Sequence, residues 1–294
     1  MTQRIVVATD FSTRSDRALR RATLLARSTS AQLILVHVID DDQPARLVEA
    51  SQREATIVLT ELASTVHDVD GLACDAKVIL GEPFEGLSNS AEESNADLMV
   101  MGAYRRQVLR EMFMGTTVER TIRRSRRPVL MANAVPSRHY KRILIATDFS
   151  ESSAQAVRAA RELGLLDGTD VFLLHVYDAP AKGLMYRSAI TAREIKDYTD
   201  EEEQRAATKL LAFIGEVGLK SKRQILKLAE EPASTIIKDC ARNERADLIV
   251  VGTRGQSGLG TLLLGSVAQD VLQGSEIDVL AVPLPAPSEE KGQF

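Results

Sequence analysis

The chain has no tryptophan, only two cysteines, and aromatic residues make up just 4% of its 294 positions. That is too few rings for the stacking platform on which single-strand nucleic-acid binders hold bases. A formal net charge of -4 also argues against a protein built mainly to bind nucleic acid. Cys74 and Cys240 stand alone, with no CxxC pair, which excludes a zinc site of the usual spacing and a disulfide framework. They read as buried or half-buried thiols of a reducing compartment. No apolar run approaches the ~18 residues of a membrane span. The opening residues Met1-Thr2-Gln3-Arg4-Ile5 run straight into an apolar strand, not into a basic leader. The expectation is a cytoplasmic protein without membrane contact. Two phosphate-binding signatures are missing as well. There is no GxxxxGK[ST], hence no Walker-type loop, and no GxGxxG after the first strand.

What is present is a duplication. The segment from Arg4 to Ser12, RIVVATDFS, recurs from Arg142 to Ser150 as RILIATDFS. Leu35-Val36-His37-Val38 recurs as Leu173-Leu174-His175-Val176, again 138 residues later. Ala96–Gly102 recurs as Ala246–Gly252, and Pro128-Val129-Leu130 as Asp278-Val279-Leu280, now 150 residues later. The second copy therefore carries about a dozen extra residues between its second and third strands. A repeat this long is a duplicated domain, not a solenoid unit. The expected boundaries are 1–136 and 141–284, with a short tether at Asn133–Tyr140 that makes the copies pack together. The Pro-rich polar tail 285–294 reads as disordered.

Within each copy, short apolar runs alternate with amphipathic stretches. The runs are Ile5–Ala8, Gln32–Val38, Cys74–Ile79, Leu98–Gly102 and Val129–Ala132, then Arg142–Thr147, Thr169–Val176, Lys222–Leu228, Leu248–Gly252 and Val279–Val282. Continuous apolar runs mean strands buried on both faces of a parallel sheet. Alternation with helices gives an α/β fold: two tandem, doubly wound, five-stranded parallel-sheet domains of Rossmann-like type. Ligands of such sheets sit beyond the carboxyl ends of the strands.

Beyond the fourth strand of the second copy comes a glycine-rich loop. Gly252, Gly255, Gly258, Gly260 and Gly265 fall within fourteen residues, and Gly265-Ser266 opens a helix. Glycines permit positive φ and let backbone N–H groups approach an anion. The free N–H groups and positive end of the helix suit a phosphate. The Ser266 hydroxyl has two readings, as helix cap or as phosphate donor. The loop most simply holds ATP.

The ATDFS start, the strand ending in His-Val, the Ala246–Gly252 strand and the spacing Gly, two residues, Gly, nine residues, Gly-Ser together resemble the universal stress protein family in its tandem form. The resemblance spans nearly the whole chain. It implies an adenine-nucleotide α-hydrolase-like domain that binds ATP, or AMP or ADP, pairs through its last strand and acts in stress survival and regulation. The tandem then packs as an intrachain pseudo-dimer. By the same resemblance Asp148 approaches the nucleoside and ribose beside Ala146 and Thr147. Val176 offers backbone groups to adenine. Gly252, Gly255, Gly265, Ser266 and Val267 line phosphates and ribose. Bland readings stand beside these: Asp148 as a helix cap, Val176 as plain core, His175 and His37 as satisfied core imidazoles, and Arg254 as a solvated cation instead of a phosphate contact. A Mg²⁺ ion reached by Asp148 through water is a further expectation.

The first copy keeps Gly102, Gly115 and Thr116 but has Arg105, Val108 and Arg110 where the second has Gly255, Gly258 and Gly260. It reads as a degenerate phosphate loop. Residues 105–127 hold eight arginines against Glu111 and Glu119. They are either a solvated face with i,i+4 pairs or an anion or acidic-partner site. No catalytic residues stand out: no positioned base, no arginine finger and no paired carboxylates. A regulatory nucleotide-binding protein is the leading reading, with an unidentified regulatory protein as partner and the pairing of two chains into a homodimer left open. A slow ATP-hydrolysing enzyme and a scaffold working through the arginine-rich copy are the alternatives.

Overall fold

The computed structural model describes residues 2–103, 117–188, 190–255 and 264–284. The first half runs β1 (Arg4–Ala8), α1 (Thr13–Thr29), β2 (Gln32–Ile39), α2 (Ala45–Asp70), β3 (Cys74–Leu80), α3 (Pro83–Glu93), β4 (Leu98–Gly102), α4 (Thr117–Arg124) and β5 (Val129–Ala132). The second runs β6 (Arg142–Thr147), α5 (Glu151–Glu162), β7 (Asp170–Tyr177), α6 (Lys182–Arg187), α7 (Ala192–Val217), β8 (Arg223–Leu228), α8 (Ala233–Asn243), β9 (Leu248–Gly252), α9 (Ser266–Gly274) and β10 (Asp278–Val282). The extra residues of the second half thus form α6 and lengthen the approach to α7. The tail 285–294 and the arginines at 105, 106 and 110 lie outside the described residues.

Each half orders its strands 3-2-1-4-5 in parallel, the arrangement of a doubly wound sheet with its order reversing at the first strand. The two sheets do not merely pack. β5 and β10 pair antiparallel, with Val279 opposite Met131, Leu280 opposite Leu130 and Ala281 opposite Val129. The result is one ten-stranded sheet. Alternate strand residues feed two apolar layers that cross from one half into the other. Ile5, Val7, Ile143 and Ile145 lie under α1, α2, α5 and α7. Val6, Leu144 and Ile249 lie under α3, α4, α8 and α9. Among the described residues no helix is long and apolar enough to cross a membrane.

The repeated Thr-Asp-Phe-Ser segment turns each first strand into its helix. Ser12 and Ser150 are the N-caps of α1 and α5, accepting from the backbone N–H of Ser15 and Ser153. Thr147 Oγ1 accepts from Phe149 N at 3.0 Å and pairs with Ser153 Oγ at 2.9 Å. Phe11 and Phe149 take φ of 57° and 64°, in the left-handed region that bulky residues avoid. Each ring lies against the histidine of the next strand, His37 at 4.5 Å and His175 at 4.0 Å between centroids. His175 Nδ1 pairs with the Thr147 carbonyl at 2.8 Å, as His37 does with Thr9. Burial outweighs that hydrogen bond and lowers the His175 pKa. Burial also pushes the Cys74 thiol up to about 12 and Cys240 up to about 11, which holds both in the thiol form at neutral pH.

Candidate functional site

The carboxyl ends of β6, β7 and β9 reach the same rim of the sheet because the three strands are parallel and adjacent. β6 brings Ala146 and Thr147 there, with Asp148 just beyond its end, and β7 brings Val176. β9 ends at Gly252, and the chain turns through Arg254 and Gly255. The start of α9 closes the same space with Gly265, Ser266 and Val267. All ten candidate residues thus line one cavity of about 250 Å³. Gly258 and Gly260 lie outside the described residues.

The glycines do their work by lacking a side chain, not by adopting positive φ. None of Gly252, Gly255 and Gly265 is in the left-handed region. At Gly252 a methyl group would stand 2.5 Å from Ser152 Oγ and 2.7 Å from the Ser152 carbonyl, so the strand end is bare because α5 starts against it. Gly102 meets the Arg14 carbonyl in the same way, at 2.6 Å. A methyl on Gly255 would sit 3.2 Å from Asp148 Oδ2, so that carboxylate and the loop backbone crowd together.

Asp148 is not the cap of α5, since Ser150 holds that position. It braces the cap instead: Oδ1 accepts from Ser150 N at 3.1 Å and from Ser150 Oγ at 2.5 Å. Ser266 is likewise not a cap. It occupies the first turn of α9, whose N-cap is Gly265 and carries no side-chain cap bond. The amino end of that helix, with its first backbone N–H groups and the positive end of its dipole, thus forms part of the cavity wall. Arg254 donates its backbone N–H to Ser152 Oγ at 3.2 Å, tying the loop to α5.

The sequence left part of the wall unmarked. Ser153, Leu174, Ala233, Ile237, Val251 and Ala268 also line the cavity. Ala233 and Ile237 come from successive turns of α8, and their i,i+4 spacing after β8 was the available signal.

The first half repeats this frame around a cavity of about 380 Å³ lined by Ala8, Thr9, Asp10, Val38, Gly102 and Thr117, among others. One exchange changes its chemistry. Arg14 stands where the second half has Ser152, and its guanidinium pairs with Asp10 at 3.3 Å. Burial works against the Asp10 charge, but the Ser12 hydroxyl and N–H, Ser15 and Arg14 outweigh it and lower the pKa. Among the described arginines of the rich segment, Arg123, Arg124 and Arg126 are exposed, and the printed ion pairs run to another helix instead of along their own. Arg120, Arg124 and Arg127 reach Glu82, Glu85 and Glu92 of α3 and its flank, and Arg120 also covers the Phe84 ring at 3.7 Å.

Comparison with known proteins agrees with this architecture. The model of the universal stress protein family matches residues 1–133 and again 139–283. A universal stress protein of Methanocaldococcus jannaschii is 35% identical over 147 residues, 50% of this chain and 84% of that protein. A solved universal stress protein of Archaeoglobus fulgidus covers 95% of this chain and 98% of its own, with a TM-score of 0.71 at 18% identity, a likeness of fold. A universal stress protein solved in complex with cAMP covers 46% of this chain and 98% of its own, at 26% identity and a TM-score of 0.38.

Proposed function

The chain belongs to the universal stress protein family, and on that premise we propose that its second half holds an adenine nucleotide, ATP or its AMP and ADP forms, as a regulatory ligand. The role is in stress survival, with the loaded domain presenting its surface to a regulatory protein partner. The supporting observation is the convergence of Ala146, Thr147, Asp148, Val176, the Gly252–Gly255 turn and the start of α9 on one cavity. The backbone of Val176 meets the base and Asp148 the ribose. The phosphates lie along Gly252, Arg254 and Gly255 and against the N–H groups of Gly265, Ser266 and Val267.

The donor set fits a nucleotide better than a metal ion held by protein. Among the described residues no group of three or more His, Cys, Asp or Glu could hold a metal. Mg²⁺ would therefore come with the phosphates, reached by Asp148 at most through water. Among the described residues the cavity pairs one carboxylate, already engaged by Ser150, with one cation. His175 points its ring to Phe149 and Thr147. That set suits holding a nucleotide more than turning it over. The Arg14–Asp10 pair in the other cavity leads us to expect one nucleotide per chain.

The test is to purify the protein, denature it and identify the released small molecules, then measure melting with added ATP. One adenine nucleotide per chain and a rise in Tm are expected, the rise lost in Gly255→Arg. Absence of any released nucleotide together with an unmoved Tm would overturn the reading.

A further inference from the structure

The seam between the halves is symmetric in its backbone and asymmetric in its chemistry. Leu130 pairs with Leu280, its own counterpart 150 residues on, so a pseudo-twofold axis passes through that pair. The helices beside the strands follow the same axis. Glu119 of α4 meets Gln273 of α9 at 2.7 Å, and Arg123 meets Gln269 at 3.2 Å, each contact the image of the other.

At one end of the strand pair lies Asp278, fully buried. It accepts from Arg21 Nε at 2.8 Å, Tyr140 Oη at 2.6 Å, and the backbone N–H groups of Asn133 and Ala134 at 2.9 and 3.0 Å. Arg21 is 4% exposed, lies over the Tyr140 ring and donates also to the Arg138 carbonyl. At the image end the described counterparts cannot repeat this. The counterparts of Asp278, Asn133 and Arg21 are Pro128, Pro283 and Ala159. Those three residues supply no carboxylate, no guanidinium and, at Pro283, no backbone N–H.

We propose that Arg21 and Asp278 are the partner code of this seam: they make the last strand of each half accept the other half and reject a second copy of itself. Two first halves paired together would bury two Arg21 side chains beside Pro128. Two second halves would bury two Asp278 carboxylates beside Ala159 and Pro283. A buried charge without its partner is among the strongest penalties available to an interface. The α4–α9 contacts do not discriminate in the same direction. Like pairing of first halves would set Glu119, itself buried, against Arg123 twice, but Arg123 reaches it from solvent and that screening leaves such a half-exposed pair a smaller effect than the fully enclosed Arg21–Asp278 pair. The strand pairing is backbone-mediated and indifferent to which half it joins. Selection therefore falls on the buried pair.

The test uses the full chain with a protease site placed at the exposed linker position Val135, cut only after folding. The cut halves are diluted, remixed and weighed by native mass spectrometry. The wild-type protein is expected to give unlike pairs in about a hundredfold excess over random reassortment. Arg21→Gln combined with Asp278→Asn, which keeps size and removes both charges, is expected to bring the distribution near random. Like pairs at the random share in the wild type would overturn the proposal, as would a neutralised protein that still forms only unlike pairs. If the double variant does not fold, the wild-type distribution alone decides. Halves that drift apart singly also count against it.

Discussion

Gly252→Ala is a demanding test of how the site is built. The added methyl meets three atoms of Ser152, Oγ at 2.5 Å, the carbonyl oxygen at 2.7 Å and the carbonyl carbon at 2.8 Å. The hydroxyl can rotate away, but the carbonyl belongs to the first turn of α5 and cannot. Overpacking usually costs about 1–3 kcal/mol, and a backbone obstruction belongs at the upper end, about 3 kcal/mol. For a cooperative unit of this size that is a fall in Tm of roughly 6–12 °C. Two companions separate the causes. Gly102→Ala meets the Arg14 carbonyl at 2.6 Å and should cost the same, yet leave the ATP-induced rise in Tm intact because it sits in the other half. Gly274→Ala ends α9, where the nearest atom is the flexible Lys238 Nζ at 2.6 Å. It should be neutral or stabilising by up to about 1 kcal/mol. Differential scanning fluorimetry with and without ATP reads all three. A Gly252→Ala protein that melts within about 2 °C of wild type, a shift worth under about 1 kcal/mol, would refute the steric reasoning.

Other predictions are briefer. Phe149→Gly relieves about 1 kcal/mol of left-handed strain but removes a ring packed on His175 and Phe213. A net loss of about 2 kcal/mol is expected. Phe11→Gly relieves the same strain at a ring that is 38% exposed with His37 beside it, so chemical denaturation should find it near neutral. His175 has its pKa lowered from 6.5 by burial. The unfolded chain then binds the proton first, so this contribution is complete above pH 6.5 and falls as pH drops toward the folded value. His175→Gln should flatten the stability profile in that window, and an unchanged slope counts against the assignment. Glu82→Gln with Glu85→Gln removes exposed partners of Arg120 and Arg124 and should move stability by under about 1 kcal/mol. A larger loss of Tm would mean that the arginine ladder is structural.

The sequence made the strands legible because parallel central strands are apolar on both faces and leave unbroken runs. It made the glycine turn after β9 legible because bare backbone demands glycine, although the reason at Gly252 is the approach of α5 and not φ. Long-range pairing was hidden. Glu82, Glu85 and Glu92 lie 35 or more residues before the arginines they meet, and only the packing of α3 on α4 joins them. Ala233 and Ile237 line the cavity without any distinctive residue type. The fusion of the two sheets could not be read from the strands themselves, whose edges carry no partner label in their backbone, and the family resemblance, with its pairing through the last strand, pointed to it. Asp278 at the head of an otherwise apolar run was the residue-level hint.

Because β5 and β10 run in opposite directions, the two cavities open on opposite rims of one continuous slab. A molecule bound in either mouth leaves the other approach clear. Any protein that senses both occupancies at once must reach around the slab or read the α4–α9 seam, where the helices that begin at the two mouths touch.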